Sequence, residues 1–268
     1  MIKVGCCGFP VGKEKYFKKF SVIEIQSTFY DFVRETTIRK WRAEAPKDFE
    51  FVIKVPQFIT HPTTSPTYRK VKKLEGMDPA HLGNFQPTEE VFYCYNKTVE
   101  YATILRTKLL VFQSPPRFSP DKQNVKNMEK FFRKIERKGL ILAWESRGIW
   151  QPEQVKNICA KLDLIDVVDP FVRDSVHPVR KPWSQGVAGK SEFTTTKTPS
   201  EFSNGVHGKI FYYRLHGGNE YHKKFEKKEL VSLYKEIKNK SGYVMFNNIS
   251  MFQDAQKLRN LIAEIKKR

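Results

Sequence analysis

The run "VIEIQSTFY" (residues 22–30) sets Glu24 and Gln26 on one face of an apolar β-strand, because side chains alternate faces along a strand. A carboxylate between Ile23 and Ile25 costs several kcal/mol unless it is paired, solvated or used. The pattern recurs along the chain. Lys54 interrupts the end of "FEFVIKV" (49–55), Gln113 ends "KLLVFQ" (108–113), and Glu145, then Arg147, closes "LILAWE" (140–145). Asp169 ends "LIDVVD" (164–169), Arg214 and His216 share a face of "IFYYRLH" (210–216), and Asn247 and Asn248 end "GYVMFNN" (242–248). Seven apolar runs out of eight thus carry polar groups near one end, more than isolated accidents would give.

These residue types support definite chemistry. Glu24 and Glu145 can serve as acid and base if their surroundings drive their pKa values apart. Arg147, Arg214 and Lys54 can clamp a phosphate, the arginines in bidentate fashion. Lys54 can also form a Schiff base or move a proton, and His61 and His216 are candidate proton carriers. Glu24, Lys54, Glu145, Arg214 and His216 form the candidate catalytic set. Gln26, His61, Gln113, Arg147, Asp169, Asn247 and Asn248 are candidates for binding substrate, the amides suiting a base edge or a sugar hydroxyl. Tyr30 and Trp150, with Phe29, Tyr212 and Tyr221, are candidates for stacking on a base. The competing reading is structural: Glu24, Lys54, Glu145 and Arg214 can form a buried ion-pair network that only fixes the fold. Aromatic residues are more often packing, and a lone histidine more often has a structural role. Amide, imidazole and guanidinium groups gathered at one end favour function.

No tightly bound transition metal is expected. Of the six histidines (61, 81, 177, 207, 216 and 222), only His216 falls at a strand end, with His61 a short loop away. Zinc and manganese sites want a cluster of histidines with carboxylates. Magnesium held by Glu24, Glu145 and Asp169 stays open, and no other cofactor is expected. Cys6, Cys7, Cys94 and Cys159 are too few and too scattered for a disulfide framework, and Cys6 and Cys7 lack the spacer of a zinc motif. Buried, reduced thiols are the plainer reading, with a nucleophilic Cys7 as the sharper one.

The elements that would position these groups alternate. "IKVGCC" (2–7) and "VIEIQ" (22–26) open a series of eight strands completed by the six runs quoted above. Helical patterns lie between them. Apolar stripes run through Met128, Phe131, Phe132 and Ile135; through Val155, Ile158, Cys159 and Leu162; through Leu230, Leu233, Tyr234 and Ile237; and through Ala255, Leu258, Ile262 and Ile265. Eight such units predict a single α/β domain over residues 1–268, a TIM-type (β/α)8 barrel with long loops after strands 3 and 6. No Gly-rich phosphate loop follows the first strand, which speaks against a doubly wound sheet. The loops, residues 56–87 and 170–209, are polar and basic, and loops of that length are usually either functional or disordered. In a barrel both crown the C-terminal face, where active sites collect.

At 268 residues the chain can bury a sizeable core, and 40% hydrophobic against 29% charged residues is the balance of a globular protein rather than a disordered one. No apolar run approaches the roughly 20 residues that span a bilayer. The start, "MIKVGCCGFP", lacks a signal peptide, so a cytoplasmic protein with no membrane partner is expected. Lys and Arg outnumber Asp and Glu by 48 to 29, a formal net charge of +19. Such a surface attracts polyanions by counterion release, and nucleic acid, DNA or RNA, is the expected partner. A lysine-rich surface selected for heat stability is the plainer account, but it usually raises the acids as well.

The stretches "IEIQSTFY" (23–30), "FVIKVPQFITH" (51–61), "VFQSPPRF" (111–118), "WESRGIW" (144–150), "YYRLHG" (212–217) and "YVMFNNISMFQDAQKLRNL" (243–261) resemble, in order, the motifs of the domain of unknown function 72, or YecE-like, family. The resemblance covers nearly the whole chain and implies a TIM-type barrel, but no particular reaction. Two positions depart from the family pattern. Gly5-Cys6-Cys7-Gly8-Phe9 stands where the family has Gly-x-Ser-Gly-Trp, and Gln26 stands where it has Asn. Taken together, these features predict a hydrolase-like enzyme acting on nucleic acid, cleaving a phosphodiester or excising a nucleotide or base. An isomerase or lyase for a small phosphorylated or sugar-like substrate is the first alternative, and a non-catalytic nucleic-acid-binding protein the second.

Overall fold

The computed structural model describes residues 1–72, 74–171, 210–217 and 222–267. Eight parallel strands close into a barrel in chain order: β1 (Ile2–Cys7), β2 (Val22–Ile25), β3 (Glu50–Lys54), β4 (Leu109–Gln113), β5 (Ile141–Glu145), β6 (Ile165–Val168), β7 (Ile210–Leu215) and β8 (Ser241–Phe246). Each strand start and end lies within a residue or two of its sequence-based position, because dense apolar runs bounded by polar residues leave little latitude. Around the barrel stand α1 (Lys13–Phe17), α2 (Ser27–Tyr30), α3 (Glu35–Glu44), α4 (Gln57–Thr60), α5 (Glu89–Leu105), α6 (Lys122–Lys134), α7 (Pro152–Leu162), α8 (Lys227–Ile237) and α9 (Met251–Lys266).

Local chemistry starts the long helices. Thr88 accepts a hydrogen bond from the Val91 N–H before α5, and Asp121 accepts one from Asn124 before α6. Gln151 with Gln154 caps α7, whose first residue is Pro152, and Glu226 with Glu229 caps α8. The apolar stripes of α6, α7 and α8 face the strands as their spacing predicts. In α9 the stripe differs: Ala255, Leu258 and Leu261 are buried, whereas Ile265 is 40% exposed. With 3.6 residues per turn, the buried line passes through Leu261 and leaves Ile265 in an outlying last turn.

Strand alternation divides the core in two. Outward residues such as Ile23, Ile53, Leu110, Leu142, Tyr213 and Val244 pack against the helices. Inward residues Cys7, Val22, Val52, Val111, Ala143, Val167, Tyr212 and Met245 fill the barrel. At the strand starts, Glu50 accepts from Lys3 and from the Tyr243 hydroxyl and closes the base. The next inward positions toward the strand ends are Glu24, Lys54, Gln113, Glu145 and Arg214, so the barrel's polar layer lies at its C-terminal end.

The segment after β3 is not simply a loop. Gln57, Phe58, Ile59 and Thr60 of α4 are all buried, and Gly83, Asn84 and Phe85 donate from their backbone N–H groups to Phe58, Thr60 and Ile59 carbonyls. Two 3₁₀ turns, Pro66–Lys70 and Pro79–His81, carry the chain between these segments. The expected loop over 170–209 lies outside the described residues from 172 onward.

Candidate functional site

Arg214 is the centre of the polar layer. It is 1% exposed and donates from Nη2 to Glu24 Oε1 at 2.9 Å and from Nη1 to Glu145 Oε2. Burial works against its charge, but the two carboxylates outweigh that and hold its pKa well above the ordinary value. Glu24 also accepts from the Tyr212 hydroxyl at 2.7 Å and from the Gln26 amide. The carboxylate in the apolar strand is therefore paired: β2 and β5 each bring one acid to a guanidinium carried by β7. Tyr212, a stacking candidate by sequence, instead uses its hydroxyl as a donor to Glu24.

A second chain of hydrogen bonds leaves Glu145. Its Oε1 accepts from Gln113 Nε2 at 2.8 Å and from Arg147 Nε at 2.9 Å. Gln113 in turn accepts from Lys54 Nζ at 2.9 Å, and the pairing of β4 with β5 sets Gln113 beside Glu145. Lys54 lies 3.6 Å above the Phe29 ring centroid. Burial, and then the Arg214 charge, lower its pKa to about 7. His61 meets the same Phe29 ring edge-on at 5.0 Å and shares a 2.7 Å hydrogen bond with Thr60 Oγ1. Burial, and then the Lys54 charge, push its pKa down to about 3, so it is neutral at neutral pH.

The next level up is more open. The Arg147 side chain is 27% exposed and that of His216 is 15% exposed. Arg147 Nη2 stands 3.4 Å from His216 Nε2. Asp169 accepts the His216 backbone N–H at 2.8 Å and lies 3.5 Å from its Nδ1, while Glu145 lies 3.9 Å from Nε2. Glu24, Gln26, Lys54, His61, Gln113, Glu145, Arg147, Asp169, Arg214 and His216 thus gather at one end of the barrel.

Four other sequence candidates are placed differently. Tyr30 is half-buried, its ring 4.1 Å from Lys70 Nζ. Asn247 is half-buried and its backbone N–H donates to Leu215. Asn248 is fully buried, donating to the Lys223 carbonyl at 2.7 Å and to Asp254 at 2.8 Å, so it ties the segment before α8 to α9. Trp150 is also fully buried; it stacks on Phe118 and donates to the Phe118 carbonyl at 2.6 Å. Its bulk closes the wall after β5, which no strand periodicity announces. Sequence reasoning misses buried Asp254, because an acid in the first turn of an amphipathic helix looks like an ordinary surface residue. It also misses Thr28, whose hydroxyl donates to the Lys54 carbonyl at 2.8 Å. Tyr221, a stacking candidate, lies outside the described residues.

Among the described residues no group of three or more His, Cys, Asp and Glu side chains is arranged to hold a metal. Glu24 and Glu145 turn to Arg214, while Asp169 turns to the His216 and Phe171 backbone. All four cysteines are free and buried. Burial, and then the Glu24 charge, raise the Cys7 thiol well above its ordinary pKa, which opposes the thiolate a nucleophile needs. No helix among the described residues is long and apolar enough to cross a membrane.

Residues 14–268 match a family described as "Protein of unknown function DUF72". No curated protein matches the sequence. A DUF72 family protein from Enterococcus faecalis V583 has a similar structure, at 19% identity and a TM-score of 0.64 over 98% of each chain. A D-tagatose 3-epimerase-like protein is similar at 16% identity and a TM-score of 0.58, over 99% of this chain and 97% of that one. Endonuclease IV from Thermus thermophilus is similar at 11% identity and a TM-score of 0.52, over 99% of this chain and all of that one. Likeness at these identities is likeness of fold.

Proposed function

The chain belongs to the DUF72 family, and from the chemistry of its barrel mouth we propose that it is an enzyme acting on nucleic acid. It hydrolyses a phosphodiester or excises a nucleotide component at the C-terminal end of the barrel. The observation that carries this reading is the connected cluster at that end, with Arg147 and His216 as its open members. A cluster built only to fix the barrel has no need of a half-open guanidinium beside a half-open imidazole.

The roles follow from position. Arg147 meets a phosphate, since its Nη2 reaches the more open level while Nε stays on Glu145. His216 moves the proton. Asp169 lies on its Nδ1 side and fixes its backbone, leaving Nε2 toward Arg147. Glu145 holds both in register through Arg147 and the Arg214 pair. The formal charge of +19 concentrates a polyanion at the surface. The fold shared with endonuclease IV is compatible with this chemistry.

A second reading has its own support. Lys54, an amine with a pKa of about 7, suits carbonyl chemistry on a small phosphorylated or sugar-like substrate, and the likeness to a D-tagatose 3-epimerase-like protein sits with it. The deciding experiment incubates the protein with end-labelled single- and double-stranded DNA and RNA, with and without chelator. We expect cleavage or base release, reduced about a hundredfold or more in His216→Ala. Intact strands under all conditions overturn the nucleic-acid reading.

A further inference from the structure

We propose that Lys54 is an amine nucleophile that condenses with the aldehyde or ketone carbon of a phosphate-bearing sugar to form an imine. The inference rests on the mouth being the active site, but it fixes a different bond from the one hydrolysis would break. Two sources offer such a carbon: a free sugar phosphate, or a base-free sugar within a nucleic-acid strand.

Lys54 is the last residue of β3, points into the barrel and is 5% exposed. A buried ammonium ordinarily has a carboxylate partner. Among the described residues Lys54 makes no ion pair; its one hydrogen bond goes to the neutral Gln113. Two carboxylates lie in the same layer, but both are engaged elsewhere. Glu24 serves Arg214, Tyr212 and Gln26; Glu145 serves Arg214, Gln113 and Arg147. Gln113 is interposed with its carbonyl oxygen toward Lys54 and its amide nitrogen toward Glu145, so the acid makes no direct contact with the amine and its longer-range pull is outweighed by burial and Arg214. The Phe29 face, 3.6 Å away, covers another side and offers no acceptor oxygen.

The consequence is an amine about half uncharged near neutral pH, where an ordinary lysine is almost wholly charged. Burial and the Arg214 charge both lower its pKa, to about 7, whereas a lysine serving only to neutralise acids would be held charged. A free amine with a fixed lone pair is the group that attacks a carbonyl. Arg147 stands above it, joined through Glu145 and Gln113, to take the phosphate of the same substrate.

The step balances without a co-reactant. The nitrogen lone pair forms the C–N bond while the carbonyl π pair moves to oxygen, which takes up a proton. The nitrogen then loses a proton, giving a neutral carbinolamine. A second proton delivered to the hydroxyl lets it leave as water, and the nitrogen lone pair forms C=N⁺. Hydrolysis reverses the sequence. His216, at the open level, is the group available to carry these protons.

The test is reductive trapping on the whole protein. Wild type is treated with sodium cyanoborohydride and either glyceraldehyde 3-phosphate or an oligonucleotide containing one abasic site, then mapped by mass spectrometry. We expect one adduct per chain on Lys54, formed with a pH midpoint of about 7 rather than the ordinary lysine value of 10.5. It should be lost in Lys54→Arg, which keeps a cation but not this nucleophile. An adduct from glyceraldehyde 3-phosphate but not from the abasic strand supports the nucleophile and assigns it to a free sugar phosphate, and the nucleic-acid reading falls with it only if labelled strands also stay intact. Cleavage of nucleic acid that persists in Lys54→Arg, with no trapped adduct in wild type, overturns the nucleophile and leaves that reading standing. Labelling confined to exposed lysines also overturns it. Should Lys54→Arg not fold, pH-dependent acylation of wild type decides: a Lys54 amine that reacts only as pH approaches 10.5 rejects the proposal.

Discussion

Two carboxylates share one buried guanidinium, and the three do not contribute equally. Glu24→Gln removes one charge but leaves Arg214 on Glu145 and leaves Tyr212 an acceptor. Arg214→Met leaves two acids buried without their cation. Breaking one buried pair costs about 3–5 kcal/mol, so we expect Glu24→Gln at or below that range and Arg214→Met above it, unless one acid takes up a proton. Urea melts of both variants and the double variant test this; equal losses would mean that the two carboxylates do not depend on Arg214 as the geometry implies. Lys54 gives a prediction of opposite character, because its charge is what burial opposes. Its pKa falls from 10.5 unfolded to about 7 folded. Between those values the unfolded chain binds the extra proton, so stability rises with pH from about 7 toward 10.5 and its gain is lost as pH falls to about 7. Lys54→Met should erase this slope and melt higher than wild type at about pH 7. Parallel pH profiles for the two proteins would place the Lys54 pKa near its ordinary value.

Elements convert these side-chain needs into chain geometry, and a hydrogen-bonded clasp after β3 is an instance. Gly83 has φ +82°, and a Cβ there would collide with the His61 carbonyl group. Gly83 also donates to the Phe58 carbonyl at 2.7 Å, so the clasp that seats α4 and His61 needs this glycine. Gly83→Ala should cost about 1–3 kcal/mol, the range of local backbone strain, and should shift the His61 ring signals in NMR spectra. An unchanged melt with unmoved His61 signals would show that the clasp does not set the histidine. The same segment marks where sequence reading stops. The barrel is legible because strand alternation and helical spacing are local, and the polar ends of β2 through β7 follow from the same alternation. Glu24, Lys54, Glu145 and Arg214 are therefore visible as a set, but not the choice of partners, since Arg214 lies 190 residues from Glu24 in the chain. Trp150 and Asn248 cannot be told from mouth residues, because loop side chains follow no period. The residues around Asn84 read as loop for a related reason: their pairing with α4 is a backbone matter.

Over the whole molecule, the question is where the cations lie, since the polyanion binding expected of a net charge of +19 serves the proposed site only if they lie beside the mouth. Exposed Arg69, Lys70 and Lys72 follow β3, Arg117 follows β4, and Lys224 follows β7, so these five belong to the end that holds Lys54 and His216. Exposed Lys47, Lys108, Lys138 and Lys238 precede β3, β4, β5 and β8, and so belong to the opposite end. If the mouth receives a strand, the first set contacts phosphates and the second does not. Fluorescence anisotropy with a labelled oligonucleotide at several salt concentrations should show affinity falling by orders of magnitude between about 50 and 200 mM if roughly six or more phosphates are neutralised. Replacing Lys70, Lys72, Arg117 and Lys224 with Gln should weaken binding and flatten the salt slope by about one for each phosphate no longer neutralised. The four Gln substitutions at Lys47, Lys108, Lys138 and Lys238 remove the same formal charge, and should reduce affinity only through the smaller long-range field while leaving the slope nearly intact. Equal effects from the two sets would make the attraction a property of the net charge rather than of the mouth. Absence of binding even at about 50 mM salt would remove the polymer as substrate and leave the small phosphorylated sugar.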